Sequence, residues 1–234
     1  MDNGPTAIRD ENGFYYGIAD GIFKCVLFSK ENQDLTKWFL SCLIGIPIYN
    51  YIIKNVELPK ERKSGLDHRV DVIVEINDSI LCNIEVNSSY YKKLHIRNKL
   101  YADKIFNKLY DTKEENDKTF IHIDITKGLK TYGYREVKNR LDLATSYGLK
   151  YLRNFVFFEI DVDKALEAWY NRSEEIDKYA YIIMLSIGES ELKELVNGGY
   201  LSPENQKYVS SFMEGVVKVV RRFGRNCRAR DRLA

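Results

Sequence analysis

The stretch that most limits how this chain can fold is an alternating one. Val70, Val72, Val74 and Ile76 take every second position, with Asp71, Ile73 and Glu75 between them. After Asn77-Asp78-Ser79 the alternation resumes, Ile80, Cys82, Ile84 and Val86 against Leu81, Asn83, Glu85 and Asn87. Period-two alternation on both sides of a short polar turn is the signature of two paired strands. A three-residue turn sets Ile76 opposite Ile80 and Asp71 opposite Glu85. Cross-strand neighbours on one face lie about 5 Å apart at Cβ. Two carboxylates at that distance repel unless one is protonated or a cation lies between them. A hard divalent cation, Mg²⁺ or Mn²⁺, suits such oxygen ligands. The plainer alternative is that these acids face water, as most acids on amphipathic strands do. The position of Glu85 weighs against it: the residue comes late in a largely apolar strand, where a partly buried carboxylate needs a partner.

Around this hairpin lie three further elements. Asp20-Gly-Ile-Phe-Lys-Cys-Val-Leu-Phe28 precedes it, Leu94-His-Ile-Arg97-Asn-Lys-Leu-Tyr101 follows it, and Thr119-Phe-Ile-His-Ile-Asp-Ile125 reads as a buried strand. In this order the set resembles the D…ExK core of the PD-(D/E)xK nuclease superfamily, and within it the transposase-like branch, the recombination-promoting nucleases. The first element is similar to that branch's opening Asp-x-x-Phe-Lys-x-x-x-Phe, the second to its Arg-x-x-x-Tyr helix, and the third sits where the family places its next core strand. The resemblance spans residues 15–130. It implies a restriction-endonuclease-like αβββαβ core in an α/β (α+β sandwich) fold, and a metal-dependent nuclease, with DNA as the expected substrate. By the same resemblance Asp71 and Glu85 hold Mg²⁺ or Mn²⁺ with the backbone carbonyl of Val86, and the ion polarises a phosphate and lowers the pKa of an attacking water. Asn87 holds that water or the phosphate, Arg97 with Lys92 or Lys93 engages the phosphodiester backbone, and Asp20 is an auxiliary acid.

Two points stay open at this level. The third signature position is Lys in most of the superfamily and Gln in this branch, but here it is Asn87. An amide can orient water, yet it supplies no positive charge. A catalytically degenerate protein that binds nucleic acid or a protein partner is therefore the alternative reading. Asp67 competes with Asp71, although it lies in a glycine-containing loop. Asp161-Val-Asp163 reads as a strand end followed by a helix cap, and His68, His95 and His122 lack metal-ligand spacing.

Composition sets the remaining bounds. The net charge of +2 makes any nucleic-acid surface local, and the basic residues do cluster after the hairpin and in the arginine-rich last turns. Cys25, Cys42, Cys82 and Cys227 show no paired spacing, so free and mostly buried thiols in a reducing cytoplasm are expected. The polar N-terminus does not resemble a signal peptide. The longest apolar stretch, 38–53, is broken by Gly45, Pro47 and Asn50 and is shorter than the ~20 residues of a membrane span, so no membrane partner is expected. A homodimer would let each copy cut one strand of a duplex, where a monomer would nick twice.

Residues 1–148 are expected to form the nuclease-like core. In 149–234 the pattern predicts a core-completing strand over 151–162, then helices from Asp163, Glu174 and Ser202-Pro203, ending in a basic tail. Within the core, a helix ends at Gly45, a short strand is expected over 55–58, and a helix over 91–110.

Overall fold

A computed structural model of the chain describes residues 16–54, 72–90, 93–110, 118–129, 136–141 and 154–230. The described helices are α1 (Asp20–Leu27), α2 (Gln33–Ile44), α3 (Leu94–Tyr110), α4 (Val162–Tyr170), α5 (Ile176–Ile183), α6 (Glu189–Asn197) and α7 (Pro203–Arg230). The strands are β1 (Tyr51–Ile53), β2 (Val72–Ile76), β3 (Ile80–Asn87), β4 (Thr119–Thr126), β5 (Lys138–Leu141) and β6 (Phe155–Asp161), which make one sheet in the order β1-β2-β3-β4-β6-β5. The fold is mixed α/β. Two compact units divide it, residues 47–161 and residues 1–46 with 162–234.

The sheet unit is built on the alternating hairpin. β2 and β3 pair antiparallel with Ile76 opposite Ile80 and Val72 opposite Ile84, the register that a three-residue turn dictates. Asn77 and Asp78 turn the chain in the left-handed region, at φ 49° and 58°, which Asn and Asp tolerate better than other non-glycine residues. The Asn77 side chain also ties the turn to the segment before β1. Its Oδ1 accepts from the amides of Tyr49 (2.9 Å) and Asn50 (3.3 Å), and its Nδ2 donates to the Pro47 carbonyl (2.9 Å). This explains why β1 pairs with β2 at Tyr51–Ile53. The strand expected over 55–58 lies outside the described residues.

β3, β4 and β6 run parallel, with β5 antiparallel on the far edge. Parallel neighbours need a crossover, and α3 lies between β3 and β4 in the chain. One face of the sheet is apolar across β2, β3, β4 and β6, where Val72, Val74, Ile76, Cys82, Ile84, Ile123, Ile125 and Ile160 are buried, and only the edge strand β5 adds Lys138 and Arg140 to it. The other face is split. Toward the amino ends of β3, β4 and β6 it carries Leu81, Phe120 and Phe157, which pack with Ile73 against Ala102 and Ile105 of α3. Phe106 joins them, its ring 5.9 Å from Phe120 and 5.3 Å from Phe155. Toward the carboxyl ends the same face turns polar.

Glu75 on β2 shows how the fold treats an ordinary structural acid. Lys54 and Lys118 both pair with its carboxylate, the latter at 2.9 Å. The hydrogen bonds from Lys54 and then Lys118 hold its pKa below the usual 4.5.

The helical unit has its own apolar core, including Phe23, Phe39, Leu40, Trp169 and Phe212. Gly215 lets α7 approach α1 closely, since a Cβ there would meet Val26 Cγ1 at 2.7 Å. Trp38 of α2 stacks on Tyr208 of α7 at 5.2 Å, and its indole N–H donates to Asn205. Pro203 opens α7 as its motif predicts, but the helix runs on to Arg230, so the arginine-rich stretch is helical through that residue rather than a loose tail. No helix among the described residues is long and apolar enough to cross a membrane. Cys82 is buried, Cys42 intermediate and Cys25 exposed, against the expectation of mostly buried thiols.

Two stability measurements check this account. Asn77→Ala should lower unfolding free energy by about 1–3 kcal/mol in urea titrations, through left-handed strain and lost bonds, with Asn77→Gly recovering the strain part. Because the Glu75 pKa is depressed in the fold, its stabilisation is present above the unfolded carboxylate pKa and is lost as pH falls through the folded value. Glu75→Gln should therefore flatten the loss of stability below pH 4.5, and an unchanged acid limb would refute the assignment.

Candidate functional site

Parallel register aligns three strands in rows on the split face. Asn83 lies beside His122 and Phe157, Glu85 beside Asp124 and Glu159, and Asn87 beside Thr126 and Asp161. All of these polar side chains are buried; Glu85, Asp124 and Glu159 are each only 2% exposed. Strands in such a ladder are about 4.8 Å apart. The rows sit at the carboxyl ends of the parallel strands, where open α/β sheets place their ligands.

Hydrogen bonds link the rows. Asn83 Nδ2 donates to Glu85 Oε1 (3.3 Å) and meets His122 Nδ1 (2.9 Å), while His122 Nε2 meets Asp124 Oδ1 (3.0 Å). An amide N–H can only donate, so Nδ1 is the acceptor and the imidazole proton sits on Nε2, directed at Asp124. From α3, Arg97 Nη2 donates to Asn87 Oδ1 (2.8 Å) and Arg97 Nε to Asn98 Oδ1 (3.2 Å), and Asn87 Nδ2 donates to Thr126 Oγ1 (3.3 Å). Asn98 lies one turn before Ala102 and two before Ile105, on the stripe that packs against the sheet. Three buried polar atoms here have no partner among the described residues: Asn83 Oδ1, Asp124 Oδ2 and Asn98 Nδ2. Buried atoms of this kind call for a water, an ion or a ligand.

Of the residues singled out from sequence, the structure brings Glu85, Val86, Asn87 and Arg97 to one end of the sheet. Glu85 and Asn87 share the polar face with the Arg97 guanidinium, and the Val86 side chain points to the apolar one. Lys93 is exposed immediately before α3. Asp71, Asp67 and Lys92 lie outside the described residues, as does the side chain of Asp20, whose backbone opens α1 in the helical unit. Asp161 ends β6 and Asp163 lies in the first turn of α4, as the spacing suggested, but Asp161 is buried on the site face.

Sequence reasoning missed Asn83, Asn98, Asp124, Thr126 and Glu159 and set His122 aside. The signal was alternation again: in β4, Phe120, His122, Asp124 and Thr126 interleave with Ile121, Ile123 and Ile125. A strand buried on both faces with polar residues on one of them must be hiding a polar site.

The donor chemistry suits a hard cation. The face offers carboxylate and amide oxygens, and the buried thiol of Cys82, whose pKa burial pushes up, is on the opposite face. Among the described residues no three His, Cys, Asp or Glu form a metal-holding group. Mg²⁺ commonly uses only one or two carboxylates and completes its shell with water and phosphate oxygens. Comparison with known protein families, curated proteins and solved structures gave no match to this chain.

The buried chain of bonds makes a direct prediction. His122→Phe leaves Asp124 Oδ1 without its donor and should cost about 1.5–3 kcal/mol. Adding Asp124→Leu should restore much of that loss, giving a strong coupling in a double-mutant cycle. Additive effects in urea denaturation would show that the two side chains do not interact.

Proposed function

We propose that the chain is a metal-dependent nuclease of the PD-(D/E)xK kind, acting on phosphodiester bonds of DNA. The observation that carries this reading is Glu85 itself, buried at the carboxyl end of β3 with Asn87 two residues on and Arg97 reaching over from the crossover helix. The run β1-β2-β3, α3, β4 within one sheet supports the restriction-endonuclease-like core that the sequence resembles. In this reading Glu85, Asp71 and the Val86 carbonyl hold Mg²⁺ or Mn²⁺, which when bound polarises the phosphate and makes its water more acidic.

The chain's own groups supply the rest. Asn83 fixes the Glu85 carboxylate by its 3.3 Å bond. Arg97, 2.8 Å from Asn87 Oδ1, brings to the third signature position the permanent positive charge that Asn87 lacks. Its planar guanidinium can exchange that contact for a phosphate oxygen. The unpartnered Asn98 Nδ2 is a second donor for the same anion. Lys93, exposed at the start of α3, can meet the flanking backbone.

The degenerate reading is the alternative: Asn87 brings no positive charge, and its amide is already held at both ends, by Arg97 and by Thr126, with one N–H and one lone pair left over. Supercoiled plasmid incubated with purified protein and Mg²⁺, Mn²⁺ or EDTA separates the two. Metal-dependent nicking that falls about a hundred-fold or more in Glu85→Ala, and clearly in Arg97→Ala, is the expected result. Absence of cleavage by wild type and by Asn87→Lys, together with DNA binding that weakens steeply with salt, would instead identify a binding module.

A further inference from the structure

We infer that Asp124 is a further carboxylate ligand of the cation held at Glu85, so that the metal site spans β3 and β4. The inference rests on the reading of Glu85 as a cation ligand, but adds a residue from a strand that the hairpin motif does not include.

Register comes first. Glu85 and Asp124 are paired across the parallel ladder and face the same way, on strands about 4.8 Å apart. A single ion can be reached from both.

Asp124 then differs from an acid that serves structure. Glu75, on the same sheet, is met by two lysines. Asp124 is 2% exposed and, among the described residues, has one hydrogen-bond partner, His122, and no partner for its Oδ2. A buried carboxylate with one oxygen left without a partner is strongly disfavoured unless it meets a cation.

The surrounding bonds also have the form of a metal site's supporting layer. Ligating carboxylates are commonly held by hydrogen bonds that leave one oxygen for the metal. His122 holds Asp124 Oδ1 and leaves Oδ2, and Asn83 holds both His122 and Glu85 Oε1. The unpartnered Asn83 Oδ1 adds a neutral oxygen in the same row system. Carboxylate and amide oxygens select a hard divalent ion over a soft one.

Mn²⁺ is the probe, because its free-ion paramagnetic resonance signal reports binding without any DNA. Wild type should bind Mn²⁺, and Asp124→Asn should weaken binding by ten-fold or more. That variant keeps an oxygen to accept from His122, so its metal-free melting temperature should equal or exceed that of wild type, whereas a purely structural Asp124 would lower it. If Asp124→Asn does not fold, Asp124→Leu removes both the charge and the unfilled oxygen and gives the same readout. Wild type that binds no Mn²⁺, or an Asp124 variant that binds it as wild type does, overturns the inference. Loss of binding in Glu85→Gln alone, with plasmid cleavage intact in the Asp124 variant, would sink the inference and keep the nuclease reading. Mn²⁺ binding that needs Asp124 in a protein that cleaves nothing would do the reverse.

Discussion

Parallel pairing of β3 with β4 and of β4 with β6 places residues at matching positions side by side, and the character of the sheet unit follows from what occupies those positions. Side chains alternate between faces with period two, so each strand contributes every second residue to a row. Leu81, Phe120 and Phe155 make the first row of one face apolar, and α3 closes over it with Ala102, Ile105 and Phe106. Two residues on, the rows become Asn83–His122 and then Glu85–Asp124–Glu159. The helix that buries the apolar rows also carries Asn98 and Arg97 toward the polar ones, one turn before Ala102. Packing of α3 is thus what sets the distance between Arg97 and Asn87. A change at Ala102 that lifts the helix would move the guanidinium as well.

Acids on this sheet have two electrostatic regimes. Glu75 is balanced by lysines from the segments before β2 and β4, and its depressed pKa records that balance. Asp124 meets only the proton on His122 Nε2 among its identified bonds. The desolvation penalty of a buried carboxylate is several kcal/mol, well above the roughly 1.5–3 kcal/mol of a hydrogen bond to a charged group. A fold that can supply lysines at one end of its sheet and supplies imidazole and amide at the other is arranged for different tasks at the two ends.

The hairpin was legible because its information is local. Alternation fixes the faces, Asn77-Asp78-Ser79 fixes the register, and Ile76 opposite Ile80 follows. The helix stop at Gly45, at φ 87°, and the start at Pro203 were legible for the same reason. What the sequence could not give was the pairing of β3 with β4, which joins residues about forty positions apart and so depends on the crossover. Asp124 was invisible as a neighbour of Glu85 for that reason, although its place in an alternating strand marked it as hidden and polar. β1 was missed because it is three residues long and held by Asn77 from across the turn, and β5 because Lys138 to Leu141 carries no apolar run.

Asn87 concentrates the functional question. A lysine at this position would bring its own charge on a flexible stem, and a glutamine would reach one methylene farther than asparagine. Asn87 does neither, but the short side chain leaves room for Arg97 to approach within 2.8 Å from the opposite side. The charge therefore arrives from α3 rather than β3. A guanidinium is permanently protonated and offers only donors, so Arg97 can bind and polarise a phosphate but cannot take the proton of an attacking water. In a site built this way that proton must go to a carboxylate, to bulk water or to the substrate itself. The acids of the Glu85 row are the groups within reach of that task, which ties the role of Arg97 to how many of them a cation leaves unoccupied.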